Sequence, residues 1–151
     1  MPDVQVNYKV HMTQDHQLNG TIGTDGLATC VGVIARLVNG NTYCAHISCE
    51  MSGIAANLPI IATRTSAIMP LRIAVANVVS MHCATSNLIE PTSMAIYNGL
   101  VNTYGATVQP MQQGNGIYFD GNNVVVTAFG TNIIGTLDGP QEDNGPINVQ
   151  N

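Results

Sequence analysis

Residues 24–49 read Thr24-Asp25-Gly26-Leu27-Ala28-Thr29-Cys30-Val31-Gly32-Val33-Ile34-Ala35-Arg36-Leu37-Val38-Asn39-Gly40-Asn41-Thr42-Tyr43-Cys44-Ala45-His46-Ile47-Ser48-Cys49. A polar, glycine-containing loop enters the apolar run Val31 to Ala35, which has the β-branched richness of a buried strand. Val38-Asn39-Gly40 supplies turn chemistry, and Thr42 to Cys49 returns as a second strand, so the segment is a β-hairpin. Its register has two solutions. A two-residue Asn39-Gly40 turn pairs Val38 with Asn41 and Cys30 with Cys49, and turns His46 away from Cys30. A three-residue loop with Gly40 left-handed, a G1 bulge, pairs Leu37 with Asn41, Gly32 with His46 and Cys30 with Ser48. Only the second puts Cys30 and His46 on one face, because strand side chains alternate sides and a one-residue slip reverses them. The bulged register is the expectation.

Outward from the hairpin, Val4, Val6, Tyr8, Val10 and Met12 alternate with polar residues, the period of a strand with one buried face. Asp15 to Gly26 is polar and glycine-rich and reads as loop. Gly53 to Thr63 carries no clear pattern. Ser66 to Ala84 reads as a helix with Pro70 in its first turn, where a missing N–H costs nothing, in preference to the alternative of a buried strand pair rich in Val and Ile. Pro91 to Tyr104 is a second helix, begun by Pro91 and stopped by Gly105. Ile117–Phe119, Asn123–Phe129 and Asn132–Leu137 read as strands, and the tail 138–151 as irregular. Strands and helices in uneven order indicate an α+β fold, a mixed sheet core flanked by helices, in a single domain over 1–151.

Composition narrows the function classes. The chain has 151 residues, 45% hydrophobic but only 9% charged, against about 25% charged in an average soluble protein. A formal net charge of −5 with no basic cluster argues against nucleic-acid binding, which rests on cationic neutralisation of phosphates. No apolar stretch approaches the ~20 residues that cross a bilayer. The amino terminus lacks the basic and apolar regions of a secretory signal, so the expected location is the cytoplasm, or a host cell reached without a classical signal peptide.

Chemistry concentrates at the hairpin. Cys30 stands where a loop meets a rigid strand, and His46 lies on the returning strand, the arrangement of a nucleophile with its base. A free thiol is only a few per cent thiolate at neutral pH, so an adjacent imidazole raises its reactive fraction. Thr24 or a main-chain carbonyl can fix the imidazole's tautomer, and loop amides around Cys30 can hold an oxyanion. The chemistry that follows is acyl transfer, with no cofactor required.

Thr24-x-Gly26-Leu27-Ala28-Thr29-Cys30-Val31-Gly32-Val33, followed by Ala45-His46-Ile47, resembles the active-site signature of the chemoreceptor glutamine deamidase CheD. That family includes the catalytic domains of cytotoxic necrotizing factor and Burkholderia lethal factor. The resemblance spans about Thr24 to Ser48. It implies a β-sandwich-like core flanked by helices, and conversion of a Gln side chain of a target protein to Glu through a Cys thioester. Cys30 would be nucleophile, His46 base and Thr24 the third member, with the Gln-bearing protein as partner. Ile47-Ser48-Cys49 departs from the apolar residue and Leu-Pro usual in CheD, and CheD's later glycine-rich signature is absent, which favours a toxin or effector acting on a host protein over a chemotaxis enzyme.

Other readings compete. Cys44, His46, Cys49, His82 and Cys83 are ligand types that zinc prefers, although the spacing lacks a Cys-x-x-Cys pair. A binding module using the Asn-rich surface is the non-catalytic alternative.

Overall fold

The computed structural model describes the backbone of residues 7–52, 58–128 and 147–150, with side chains at 17, 19–48 and 61–128. It is α+β, as the pattern of elements indicated. In chain order come β1 (Asn7–Leu18), β2 (Ile22–Thr24), β3 (Val31–Leu37), β4 (Thr42–Ser52), α1 (Leu58–Arg72), β5 (Val78–Thr85), α2 (Pro91–Tyr104), β6 (Gln112–Gln113), β7 (Gly116–Phe119), β8 (Val124–Thr127) and β9 (Ile147–Gln150). A six-stranded sheet runs β6-β5-β3-β4-β1-β9, and a three-stranded sheet runs β2-β7-β8. The β5–β6 pair is parallel and the other ladders are antiparallel, so the larger sheet is mixed.

Strand alternation gives the larger sheet two faces. Val31, Val33, Ala35 and Leu37 of β3 and Tyr43, Ala45 and Ile47 of β4 pack with Ile61, Ile68 and Met69 of α1 and Ile96, Leu100 and Tyr104 of α2. On the opposite face Ile34, Cys44 and Ala84 pack with Leu27, Ile22, Ile117 and Phe119, the last three from the small sheet. Arg36 extends over the Phe119 ring at 4.1 Å and donates to the Thr42 hydroxyl, tying the two sheets together away from the loop.

The hairpin adopts the bulged register. Gly32 pairs with His46 and Val31 with Ile47. Leu37 N–H donates to Asn41 O and Gly40 N–H to Leu37 O, both at 3.0 Å, and Gly40 has φ +87°. That left-handed conformation is the one a three-residue loop demands and glycine meets without strain.

Helix α2 matches its expected bounds. Pro91 is in its first turn, and the Glu90 side chain accepts from Thr92 N–H at 3.3 Å and from Thr92 Oγ1 at 2.9 Å. Three other expectations are corrected. Asp15–Gly26 is not all loop: β1 runs on to Leu18, because Asp15, His16, Gln17 and Leu18 find partners in Ala45, Cys44, Tyr43 and Thr42, and β2 starts at Ile22. A register shift between Met12 and Gln14 lets the strand continue past the alternating segment. Ser66–Ala84 is not one helix: α1 starts earlier, at Leu58, and ends at Arg72, while Val78–Thr85 is β5, as its Val-rich composition permits. Pro70 thus lies in the last turn of α1, where it cannot donate to Ser66 O. The Thr103 hydroxyl of α2 donates to Gly99 O of its own helix at 2.9 Å and makes only a long 3.5 Å contact with Ser66 O, and Ser66 Oγ also donates to Gly99 O at 2.9 Å. The tail is not irregular throughout, since Ile147–Gln150 pairs with β1. The expected strand Asn132–Leu137 lies outside the described residues. No helix among the described residues is long and apolar enough to cross a membrane.

Candidate active site

Thr24 ends β2 in the small sheet and His46 lies in β4 of the large one, yet Thr24 Oγ1 and His46 Nδ1 are 2.8 Å apart. Two features of the chain bring them together. Thr24 pairs with Ile117 of β7, which fixes its position against the inner face of the large sheet. Gly32, opposite His46, has no side chain, and a Cβ there would lie 2.7 Å from Ile117 Cγ2 and 2.9 Å from Leu27 Cδ1. The sheets can therefore close together only over a glycine. Thr24 is 5% exposed, so its hydroxyl needs a partner inside the protein and finds it in the imidazole.

Cys30 sits two residues before Gly32 and packs on the Ile22, Leu27, Ile34 and Ile117 cluster, the cluster on the His46 face. Thiol and imidazole therefore share a face of the hairpin. The thiol is half-buried, and burial pushes its pKa up from the ordinary value. Its resting form is the neutral thiol. In the tautomer with the proton on Nδ1, His46 donates to Thr24 Oγ1 and leaves Nε2 as an acceptor.

The loop ahead of Cys30 is tied down at successive residues. Leu27 N–H donates to Asn115 O at 3.0 Å, and Leu27 O accepts from both the backbone N–H and the hydroxyl of Ser86. Thr29 O accepts from Ser93 Oγ at 2.7 Å, and Ser93 Oγ accepts from Thr85 Oγ1 at 3.1 Å. Sequence reading missed Ser86, Ser93 and Thr85 as parts of this site. Ser93 stands 64 residues from the carbonyl it grips, and nothing local marks a hydroxyl near a helix start as a long-range donor.

The residues of the zinc alternative are divided between faces. Cys44 packs in the cluster against the small sheet and Cys83 in the cluster against the helices. Cys83 is 1% exposed, and burial pushes its thiol up to about 12. Burial lowers the pKa of His82. Among the described residues, no three His, Cys, Asp or Glu side chains converge as a metal site would require. Compared with family models, curated proteins and solved structures, the chain matches none.

Proposed function

We propose that the protein is a cysteine-dependent protein-glutamine deamidase with Cys30 as nucleophile, His46 as base and Thr24 as the group that orients the base. The observation that carries this reading is the 2.8 Å contact between Thr24 Oγ1 and His46 Nδ1, made on the face of the hairpin that also bears Cys30. A buried hydroxyl on Nδ1 fixes the direction of the ring on the face it shares with the thiol, the arrangement of a nucleophile, base and orienter. The sequence resemblance to CheD and the necrotizing-factor domains supplies the substrate class, and the layered sheets flanked by helices agree with it.

In the reaction, the Cys30 proton passes to His46 Nε2 as sulfur bonds to the carboxamide carbon of a target Gln. The tetrahedral intermediate collapses, the C–N bond breaks, and the proton on His46 leaves with the amine as ammonia. Water, deprotonated by His46, then attacks the thioester. Its oxygen becomes part of the Glu carboxylate, and the thiol is restored. The scarcity of charge favours a protein target over a free amino acid, whose charged ends call for matching groups. The sequence departures after His46 favour an effector acting on a foreign protein.

The test is incubation of the purified protein with a cell extract, followed by mass spectrometry for Gln-to-Glu conversion. Conversion at defined glutamines, lost with Cys30→Ser, supports the reading. Conversion that persists in Cys30→Ser, or its absence from every extract offered, overturns it.

A further inference from the structure

Six described polar side chains are buried, Thr24, Thr42, Thr65, Thr85, Ser93 and Thr127. Three of them converge on the loop and strand that carry the proposed site: Thr24 on His46, and Thr85 through Ser93 on the carbonyl of Thr29. Burying hydroxyls is unfavourable unless they are paired, so a relay of two, both fully buried, marks a carbonyl that the fold holds in one orientation.

That carbonyl belongs to the Thr29–Cys30 peptide. No peptide bond among the described residues is cis, so the Cys30 N–H lies antiparallel to the Thr29 C=O. Ser93 belongs to α2, which packs on the face of the large sheet opposite the cluster that holds Cys30. With the carbonyl drawn toward Ser93, the N–H is turned away from α2, toward the side where Cys30 and His46 lie. Cys30 precedes β3, whose pairing with β4 begins at Val31 and Ile47, so its N–H lies outside the described ladder.

We infer that Ser93, supported by Thr85, is a positioning residue: it rotates the Thr29–Cys30 peptide so that the Cys30 amide donates to the oxyanion formed when the Cys30 sulfur attacks a carbonyl. The inference rests on the acyl-transfer reading and assigns it a donor. Such a donor acts only on reactions that build an oxyanion, which separates it from a general tightening of the loop.

The test uses two reagents on the full chain. p-Nitrophenyl acetate acylates a thiol through a tetrahedral oxyanion, forming a thioester and releasing p-nitrophenolate. Iodoacetamide alkylates the same sulfur by displacing iodide, with no oxyanion. Modification at Cys30 is followed by peptide mass spectrometry, with Cys30→Ser as the blank. Ser93→Ala is expected to slow acylation about tenfold to a hundredfold, short of the 10²–10³ for complete loss of such a donor, while alkylation stays within about twofold. Ser93→Thr should restore acylation, and Thr85→Val should slow it by less than Ser93→Ala does. If Ser93→Ala does not fold, the acylation-to-alkylation ratio of Thr85→Val decides. Equal slowing of both reactions, or no slowing of either, overturns the positioning role. Wild-type Cys30 acylated no faster than in the urea-unfolded chain overturns the acyl-transfer reading itself, whereas a fast wild type with an insensitive Ser93→Ala overturns the positioning role alone.

Discussion

The two faces of the large sheet are built by different rules. Toward α1 and α2, β3 and β4 present Val31, Val33, Ala35, Tyr43, Ala45 and Ile47, none more than 2% exposed, in contacts that are apolar and interchangeable in kind. Toward the small sheet the same strands present Gly32, Arg36, Thr42 and His46, each matched to one particular partner: a clearance over Ile117, the Phe119 ring, a guanidinium, a threonine hydroxyl. Along β3 and β4 the first face is held by buried area, in which many sequences would do. The second adds to the packing of Ile34 and Cys44 a set of pairings, each of which fails if one atom is removed. Cys83, on the helix side, is sealed, whereas Cys30, on the other, is half-buried beside a buried Cys44.

This contrast breaks most decisively at His46. His46→Ala should lower Cys30 acylation by p-nitrophenyl acetate by about 10²–10⁴, the usual contribution of a general base, with an unchanged circular dichroism spectrum. A loss below threefold would mean that the imidazole does not serve the thiol. Next is alkaline stability, which tests the helix side. Below pH 9.0 the Cys83 thiol is neutral whether the chain is folded or not; between 9.0 and about 12 the unfolded chain ionises while the folded thiol does not. Folding stability should therefore fall as pH rises through that window, by up to roughly 4 kcal/mol at about 1.4 kcal/mol per pH unit. Urea unfolding of wild type and Cys83→Ala measures it: the variant should show the shallower decline, and parallel curves would sink the assignment.

Gly32→Val tests the clearance between the sheets. Overpacking against Ile117 and Leu27 should cost about 1–3 kcal/mol in urea unfolding and impair acylation as well, whereas a tolerated valine would show that the sheets need not approach so closely. The smallest effect expected is that of Thr24→Val, which keeps the shape and removes the hydroxyl. Acylation should fall about fivefold, as for loss of one hydrogen bond worth about 1 kcal/mol, and the pH profile should change as the imidazole loses its partner. An unaltered rate and profile would reduce Thr24 to packing.

The hairpin could be read from residues 24–49 because its information is local. Asn39-Gly40 sets the turn, Gly40 supplies the left-handed residue, and alternation carries that register to Gly32 and His46. Helix α2 was legible for the same reason, with Pro91 at one end and Gly105 at the other. The polar end of β1 was not legible. Asp15, His16 and Gln17 are poor strand formers alone and become strand because β4 is long enough to pair with them. Pro70 misled as well, since α1 begins at Leu58, ahead of the stretch where a helix was expected, and so holds Pro70 in its last turn rather than its first. At the candidate site, Cys30 and His46 could be named from their places on the hairpin, and Thr24 from the resemblance to CheD. Ser93 and Thr85 could not, because their partners are set by how α2 docks rather than by anything in their own neighbourhood.

Thr24 and His46 belong to different sheets, so the bond between them is a seam. If β2, β7 and β8 loosen together while the large sheet holds, the sulfur keeps its place but the ring loses its guide. Warming or mild denaturant should then silence the proposed chemistry before the helices melt, and the protein would carry its own low-threshold fuse.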